Sequence, residues 1–262
     1  MEERAEAKAR QFPLLTERRF GPLWICHFTN QLNNQFLRAA TLWILSGNSY
    51  VVFGEAPLQA EVMAWFVLPA IVTAAIGGQL ADHMDRQKVI ILAQTVGLVA
   101  AALAVFGLLA DRTILVLAGV AVAGVQTTIF SPAQGALIRQ HLADTELTPG
   151  NGLMTAGRQL ATITGLLLLL ATFDPETEAS KVLLPALVAS AVAGWLVSLR
   201  VPRSPAPRPD MKTSWTPLGA LRQTLVEAVS DRNVFLAILG VSWFWFTHLV
   251  FLVNLPSYAA NV

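Results

Sequence analysis

Residues 27–41 read His27-Phe28-Thr29-Asn30-Gln31-Leu32-Asn33-Asn34-Gln35-Phe36-Leu37-Arg38-Ala39-Ala40-Thr41, inside an otherwise apolar stretch of helix length. His27, Gln31, Asn34, Arg38 and Thr41 recur at intervals of four, three, four and three. On a helix that spacing draws one continuous polar stripe, with Leu32, Phe36 and Ala39 off it. A stripe that carries an arginine is too costly to face lipid. The stretch therefore predicts a membrane helix whose polar face meets other helices or a water-filled cavity, and with it an internal pathway.

The rest of the chain agrees. Of 262 residues, 54% are hydrophobic and only 13% charged, with a mean hydropathy of +0.54; globular domains carry roughly 25% charge. The net charge of +1 argues against nucleic-acid binding. Cys26, the single cysteine, lies within the first apolar segment and reads as a small core residue. Residues 1–20 hold five basic and four acidic residues and a proline. They read as a cytoplasmic segment rather than a cleaved leader.

A bilayer core needs about 20 apolar residues as a helix. Seven segments qualify: 21–46, 60–81, 88–110, 113–138, 149–173, 181–200 and 233–256. With the N-terminus inside, fourteen Lys and Arg residues fall on the inner side, and only Arg112 and Lys181 fall outside. That asymmetry predicts an inside N-terminus. Trp24 and Trp195 fall near inner ends, and Trp43, Tyr50 and Trp65 near outer ends. Residues 201–217 contain Pro202, Pro205, Pro207, Pro209 and Pro217 and read as a linker, extended where proline is dense. The expected organisation is an N-terminal segment (1–20), a six-span bundle (21–200), an inner linker (201–232) and a seventh span (233–262). Six-span bundles are often paired with a second bundle in transporters, and that second bundle is the missing partner here.

Thr148-Pro149 has the form of an N-cap with proline at the first helical position, which would start span five. Gly77-Gly78 would permit close helix approach. Pro132 is either a simple kink in span four or a break that lines a substrate site. Spans one and four correspond if the bundle is built from inverted repeats. Both carry unusual polar content, namely Asn33 and Asn34 in one and Gln126, Thr127 and Thr128 in the other.

The loop after span two reads Gly78-Gln79-Leu80-Ala81-Asp82-His83-Met84-Asp85-Arg86-Gln87-Lys88. It resembles the loop signature of the major facilitator superfamily, at the matching topological position. Leu32-Asn33-Asn34-Gln35-Phe36-Leu37-Arg38 resembles the Phe-Asn-Asp-Asn-x-Phe-Lys motif of the bacterial lysophospholipid transporter family. Three further runs are similar to that family's later motifs: Phe130-Ser131-Pro132-Ala133-Gln134 through Gln140-His141-Leu142, then Glu146-Leu147, then Asn151-Gly152-Leu153. The start of its seventh span resembles Phe235 to Phe246. The resemblance covers nearly the whole chain and the first half of a full transporter. It implies an all-α integral membrane fold, with the six-helix N-terminal bundle of a major facilitator transporter plus a seventh transmembrane helix. It also implies inward movement of lysophospholipid, chiefly lysophosphatidylethanolamine, across the bacterial inner membrane for reacylation. The implied partners are membrane lipid, the other transporter half, and in many bacteria a fused acyltransferase and acyl-carrier-protein ligase. The loop cluster Gly78, Asp82, Asp85, Arg86 and Lys88 would act as a conformational latch on the inner side. Asp85 stands where most of the superfamily has glycine.

The substrate-binding candidates are Gln31, Asn33, Asn34, Arg38, Gln126, Gln134 and Arg158. Asn34 replaces the motif's aspartate, and Gln134 its lysine. Thr155 stands where a glutamate is expected, and Arg158 where a threonine is. Amides hydrogen-bond but carry no charge, so ion coupling through those positions would lack its charge. No carboxylate is expected deep inside any span. Arg158, about 13 Å into span five, either snorkels to the cytoplasm or serves the site. Arg38 lies nearer the outer end of span one and tilts toward the membrane centre. A guanidinium there suits a phosphate, which it can grip through two parallel bonds. His248, without a partner, reads as a packed residue.

The chain contains no Walker loop, no Gly-x-Ser-x-Gly, no zinc motif, no Cys-x-x-Cys and no His-x4-Asp acyltransferase pattern. Catalysis, a cofactor and a metal are accordingly not expected within it. Two further functions fit the same scaffold. One is a facilitator for another amphiphile or drug. The other is a non-transporting membrane platform for a fused acyltransferase.

Overall fold

The computed structural model describes residues 13–47, 58–172, 179–206 and 216–260. Arg4, Lys8 and Arg10 of the N-terminal segment, Tyr50, and Pro207, Arg208, Pro209 and Lys212 of the linker lie outside the described residues. After a 3-10 turn at Pro13–Thr16, the helices are α1 Gly21–Gly47, α2 Leu58–His83, α3 Arg86–Leu109, α4 Thr113–His141, α5 Asp144–Thr172, α6 Ala179–Ser198, α7 Pro217–Ser230 and α8 Arg232–Ala260. No strand occurs among the described residues. Glu61–His83, Arg86–Leu109 and Thr113–His141 are long and apolar enough to cross a bilayer, and Val182–Ser198 is a shorter apolar helix.

α1 packs between α5 and α6, and α3 packs along α4 and α6, while α2 runs along the other side of α4. Small residues let the backbones close. A Cβ on Gly124 would strike the Phe66 carbonyl, and one on Gly77 would strike the Thr128 carbonyl. The Thr128 carbonyl is the acceptor that Pro132 leaves without its helical donor. Pro132 does not break α4, which runs unbroken through it. The freed carbonyl lies against the bare Gly77 backbone, and the Thr128 hydroxyl sits 3.0 Å from that of Thr73.

Two apolar clusters stack along the bundle axis. One, built on Phe20, Leu23, Ile90, Phe130 and Leu137, fills the end where the N-terminal segment and the α2–α3 and α4–α5 connections meet. The other, built on Phe36, Leu37, Leu117, Val120 and Leu187, fills the opposite end. Between them runs a buried polar layer. Gln126 Nε2 donates to Asn30 Oδ1 at 2.7 Å, and Asn33 Nδ2 donates to the Leu187 carbonyl and to Ser190 Oγ. These bonds join α1 to α4 and to α6 as interhelical polar glue. Cys26 is a buried free thiol within the first cluster.

Two sequence expectations change. Span five begins at Asp144, not at Thr148-Pro149. The Glu146 carboxylate accepts from the Ala143 amide at 3.0 Å, a cap that starts the helix earlier. Pro149 then falls in the second turn, where the carbonyl it deprives belongs to the exposed Thr145. Val201 and Ser204 are buried against the bundle, and Pro217 opens helix α7 once the proline-dense stretch has ended. His248 is not packed into a core. It is exposed on α8 and stacks on Phe244 of its own helix. α8 starts at the Asp231 cap, whose carboxylate accepts from the Asn233 amide at 2.8 Å, and its described side chains are exposed.

The end that holds the first cluster is laced by charge. Arg19 grips Glu146 with both terminal nitrogens at 2.7 and 2.8 Å, bonds the His141 carbonyl at 2.9 Å, and reaches Glu17 at 2.5 Å. Glu146 first, then Glu17, raise its guanidinium pKa above the ordinary value. The fork fixes the start of α1 to the α4–α5 connection.

Candidate functional site

The stripe of α1 faces a notch between α4 and α5, which touch each other sparsely although they are consecutive in the chain. On one side α1 reaches α4: His27 Nδ1 lies 2.9 Å from Gln134 Oε1. On the other side it reaches α5, where Trp24 Nε1 donates to the Leu153 carbonyl at 2.8 Å and Gln35 Nε2 to Thr162 Oγ1 at 3.1 Å. Gln31, Asn34 and Arg38 follow along the helix, all half-buried. Gln31 and Asn34 make no hydrogen bond to another described side chain.

Arg38 donates to Gln35 Oε1 at 2.7 Å and approaches Met63 Sδ of α2 at 3.9 Å. Gln35 thus accepts from Arg38 on its own helix and donates to Thr162 of α5, which ties the guanidinium to α5. Among the described residues no carboxylate pairs with Arg38. A fixed cation with an amide on one side and a thioether on the other keeps donors free for an anionic ligand. Arg158 is exposed on α5, near enough for its charge to act on His27.

The candidate residues therefore separate. Gln134 meets His27 between α1 and α4; Gln31, Asn34 and Arg38 are half-buried along α1; and Arg158 is exposed on α5. Asn33, only 6% exposed, and Gln126, 1% exposed, are consumed by helix–helix hydrogen bonds instead. Two residues outside the sequence-derived set belong to the picture. Gln35 is three residues before Arg38, a spacing that places side chains together on a helix and was legible as such. Glu61 near the start of α2 is 1% exposed, a buried carboxylate at the end of a span rather than deep inside one.

The loop cluster also divides. Gly78, Asp82 and Arg86 line a cleft of about 550 Å³ together with Arg139 and Gln140 of α4 and Gln223 of α7. Asp85 is outside it. Its carboxylate caps α3 through the Gln87 amide at 2.9 Å and accepts from the Ser204 amide at 3.2 Å, with the Arg86 amide donating back to the Ser204 carbonyl. The departure from glycine thus stitches the linker to the loop. Lys88 is exposed outside the cleft. Among the described residues no cluster of His, Cys, Asp or Glu could hold a metal ion.

Residues 23–262 match the Major Facilitator Superfamily. The chain belongs to that superfamily. Similarity extends to proteins named lysophospholipid transporter LplT. One from Serratia proteamaculans (strain 568) is 28% identical over 226 residues, covering 84% of this chain and 53% of the relative. Others from Escherichia coli O1:K1 and O45:K1 are 27% identical over 227 residues, with the same coverage of 84% and 53%. The chain thus spans about half the length of these relatives. The superfamily match includes α1 from Leu23 onward and every later helix, so the notch and the cleft both lie within it.

Proposed function

We propose that this chain is the N-terminal half of a transporter that carries a lysophospholipid, of the lysophosphatidylethanolamine kind, across a bacterial inner membrane toward reacylation. The basic end of the bundle faces the cytoplasm, with α1 to α6 as six spans and α8 as the first span of a second bundle. Arg38 holds the substrate phosphate, with Asn34 and Gln31 as flanking hydrogen-bond partners and the apolar faces of α1 and α4 along the acyl chain. Gln134 and Arg158 serve the inner half of the same path. The chain performs no chemistry on its substrate, and any acylation belongs to a partner enzyme.

The observation that carries this reading is Arg38 itself. It is a half-buried guanidinium that donates to Gln35 and, among the described residues, meets no carboxylate. The lysophospholipid class comes from the names of the similar proteins. The test is titration of a fluorescent lysophosphatidylethanolamine against the reconstituted transporter and its Arg38→Gln variant. Affinity should fall by about 1.5–3 kcal/mol, the scale of a hydrogen bond to a charged group. An unchanged affinity removes Arg38 from the site.

A further inference from the structure

The part of α1 that carries Arg38 is joined to α5 by a chain of hydrogen bonds that runs in one direction. Arg38 Nη2 donates to Gln35 Oε1 at 2.7 Å, Gln35 Nε2 donates to Thr162 Oγ1 at 3.1 Å, and Thr162 Oγ1 donates to the Arg158 carbonyl at 2.9 Å. A guanidinium only donates, so it fixes the Gln35 oxygen on its own side and turns the amide nitrogen toward α5. The Thr162 hydroxyl accepts there and gives its one proton to the carbonyl one turn back. Each link is satisfied in this sense alone, and bonds in such a chain polarise one another. The two helices come close enough because position 165 is glycine, where a Cβ would strike the Gln35 Cβ. Thr162 and Gly165 are three residues apart and share one face of α5, so the hydroxyl and the gap together form a seat for Gln35.

We propose that Gln35 is a positioning residue, which holds the Arg38 guanidinium at an angle set by α5, so that the grip on a substrate phosphate depends on how α5 stands against α1. This rests on the proposed phosphate site at Arg38 and deepens it. An arginine fork binds a phosphate through two parallel bonds, which makes its orientation part of its affinity. Arg38 also approaches Met63 Sδ at 3.9 Å, so the guanidinium is bracketed between α2 and the seat on α5. Side-chain length supports the pairing. Where the similar family motif has asparagine and lysine, this chain has Gln35 and Arg38, each a longer side chain of the same charge. Asparagine at position 35 is one methylene shorter than the reach that joins Arg38 to Thr162. All of these contacts run between helices of one bundle.

The test is a double-mutant cycle on the affinity of the full transporter in nanodiscs for fluorescent lysophosphatidylethanolamine. Gln35→Leu keeps the bulk and removes the amide, and it should weaken binding by about tenfold, the weight of one hydrogen bond to a charged group. Thr162→Val acts from α5 without altering α1 and should weaken binding by about threefold, the weight of a neutral bond. Gln35→Asn should bind as weakly as Thr162→Val, because it keeps the bond to Arg38 and loses the one to Thr162. In an Arg38→Gln background, Gln35→Leu and Thr162→Val should each change affinity by less than about twofold, since both act through the guanidinium. A role in packing alone would lower the unfolding temperature and act equally in either background. Full additivity of Gln35→Leu with Arg38→Gln therefore overturns the proposal. So does unchanged affinity in Gln35→Leu while Arg38→Gln weakens binding, and the phosphate site then stands without its positioning residue. Unchanged affinity in Arg38→Gln removes the phosphate site itself and the proposal with it.

Discussion

Asn33 and Asn34 are neighbours in the chain with opposite tasks. A step of one residue turns a helix by about 100°, enough to move a side chain from the notch to a facing helix. Asn33 is buried against α6 with two hydrogen bonds, and Asn34 lies half-buried on the stripe with Gln31 and Arg38. Interhelical bonds of this type contribute about 0.6 kcal/mol on average and at most about 1.7. Asn33→Ala should therefore lower thermal stability in detergent by about that amount and leave lysophospholipid affinity unchanged. Asn34→Ala should do the reverse. Equal effects on both readouts would show that the two residues share one role. The stripe itself was readable because its period is that of the helix. Which of its polar neighbours pointed into the notch was not, because that depends on where α4, α5 and α6 stand around α1.

At the scale of helices, α2 and α4 are held by the absence of side chains. Gly77 and Gly78 look equivalent in sequence, yet only Gly77 faces the Thr128 carbonyl, while Gly78 faces open cleft. Gly77→Val should cost about 1–3 kcal/mol, as overpacking against backbone does. Gly78→Ala should be neutral or stabilising by up to about 1 kcal/mol, the helix preference of alanine over glycine. Thermal unfolding of the two variants checks this, and equal losses would remove Gly77 from the close contact. Pro132 and Gly77 are one feature in the fold although 55 residues apart in the chain. The proline frees a carbonyl, and the glycine gives it a place to lie. Local reading sees each as a helix irregularity, and only the packing of α2 on α4 makes them complementary.

At the scale of the molecule, the charge asymmetry and the exposed apolar surface of α8 belong together. A lone apolar helix that leaves Trp243, Phe244, Trp245, Phe246 and Phe251 exposed needs lipid or a second bundle around it. The basic end carries Arg19, Arg86, Arg139 and Arg203, and the positive-inside bias predicts that this end faces the cytoplasm. Cysteine labelling in intact spheroplasts checks this. Glu55→Cys should react with a membrane-impermeant maleimide from outside, and Arg208→Cys only after lysis. Labelling of Arg208→Cys from outside would invert the topology.

The sequence by itself determined the helical class, the positions of the long apolar segments and the polar stripe of α1. Each is set by hydropathy and a 3.6-residue period, which are properties of contiguous residues. The tertiary structure alone decided which polar residues hold the bundle together. It set Asn33 and Gln126 between helices, placed Gln35 as the residue that orients Arg38, buried Glu61, and gave Asp85 to the linker. It also brought Arg86 and Arg139 into one cleft from separate helices. The physical reason is that burial and hydrogen bonding of a side chain are settled by the neighbouring helix, and a neighbour is fixed by packing rather than by position in the chain.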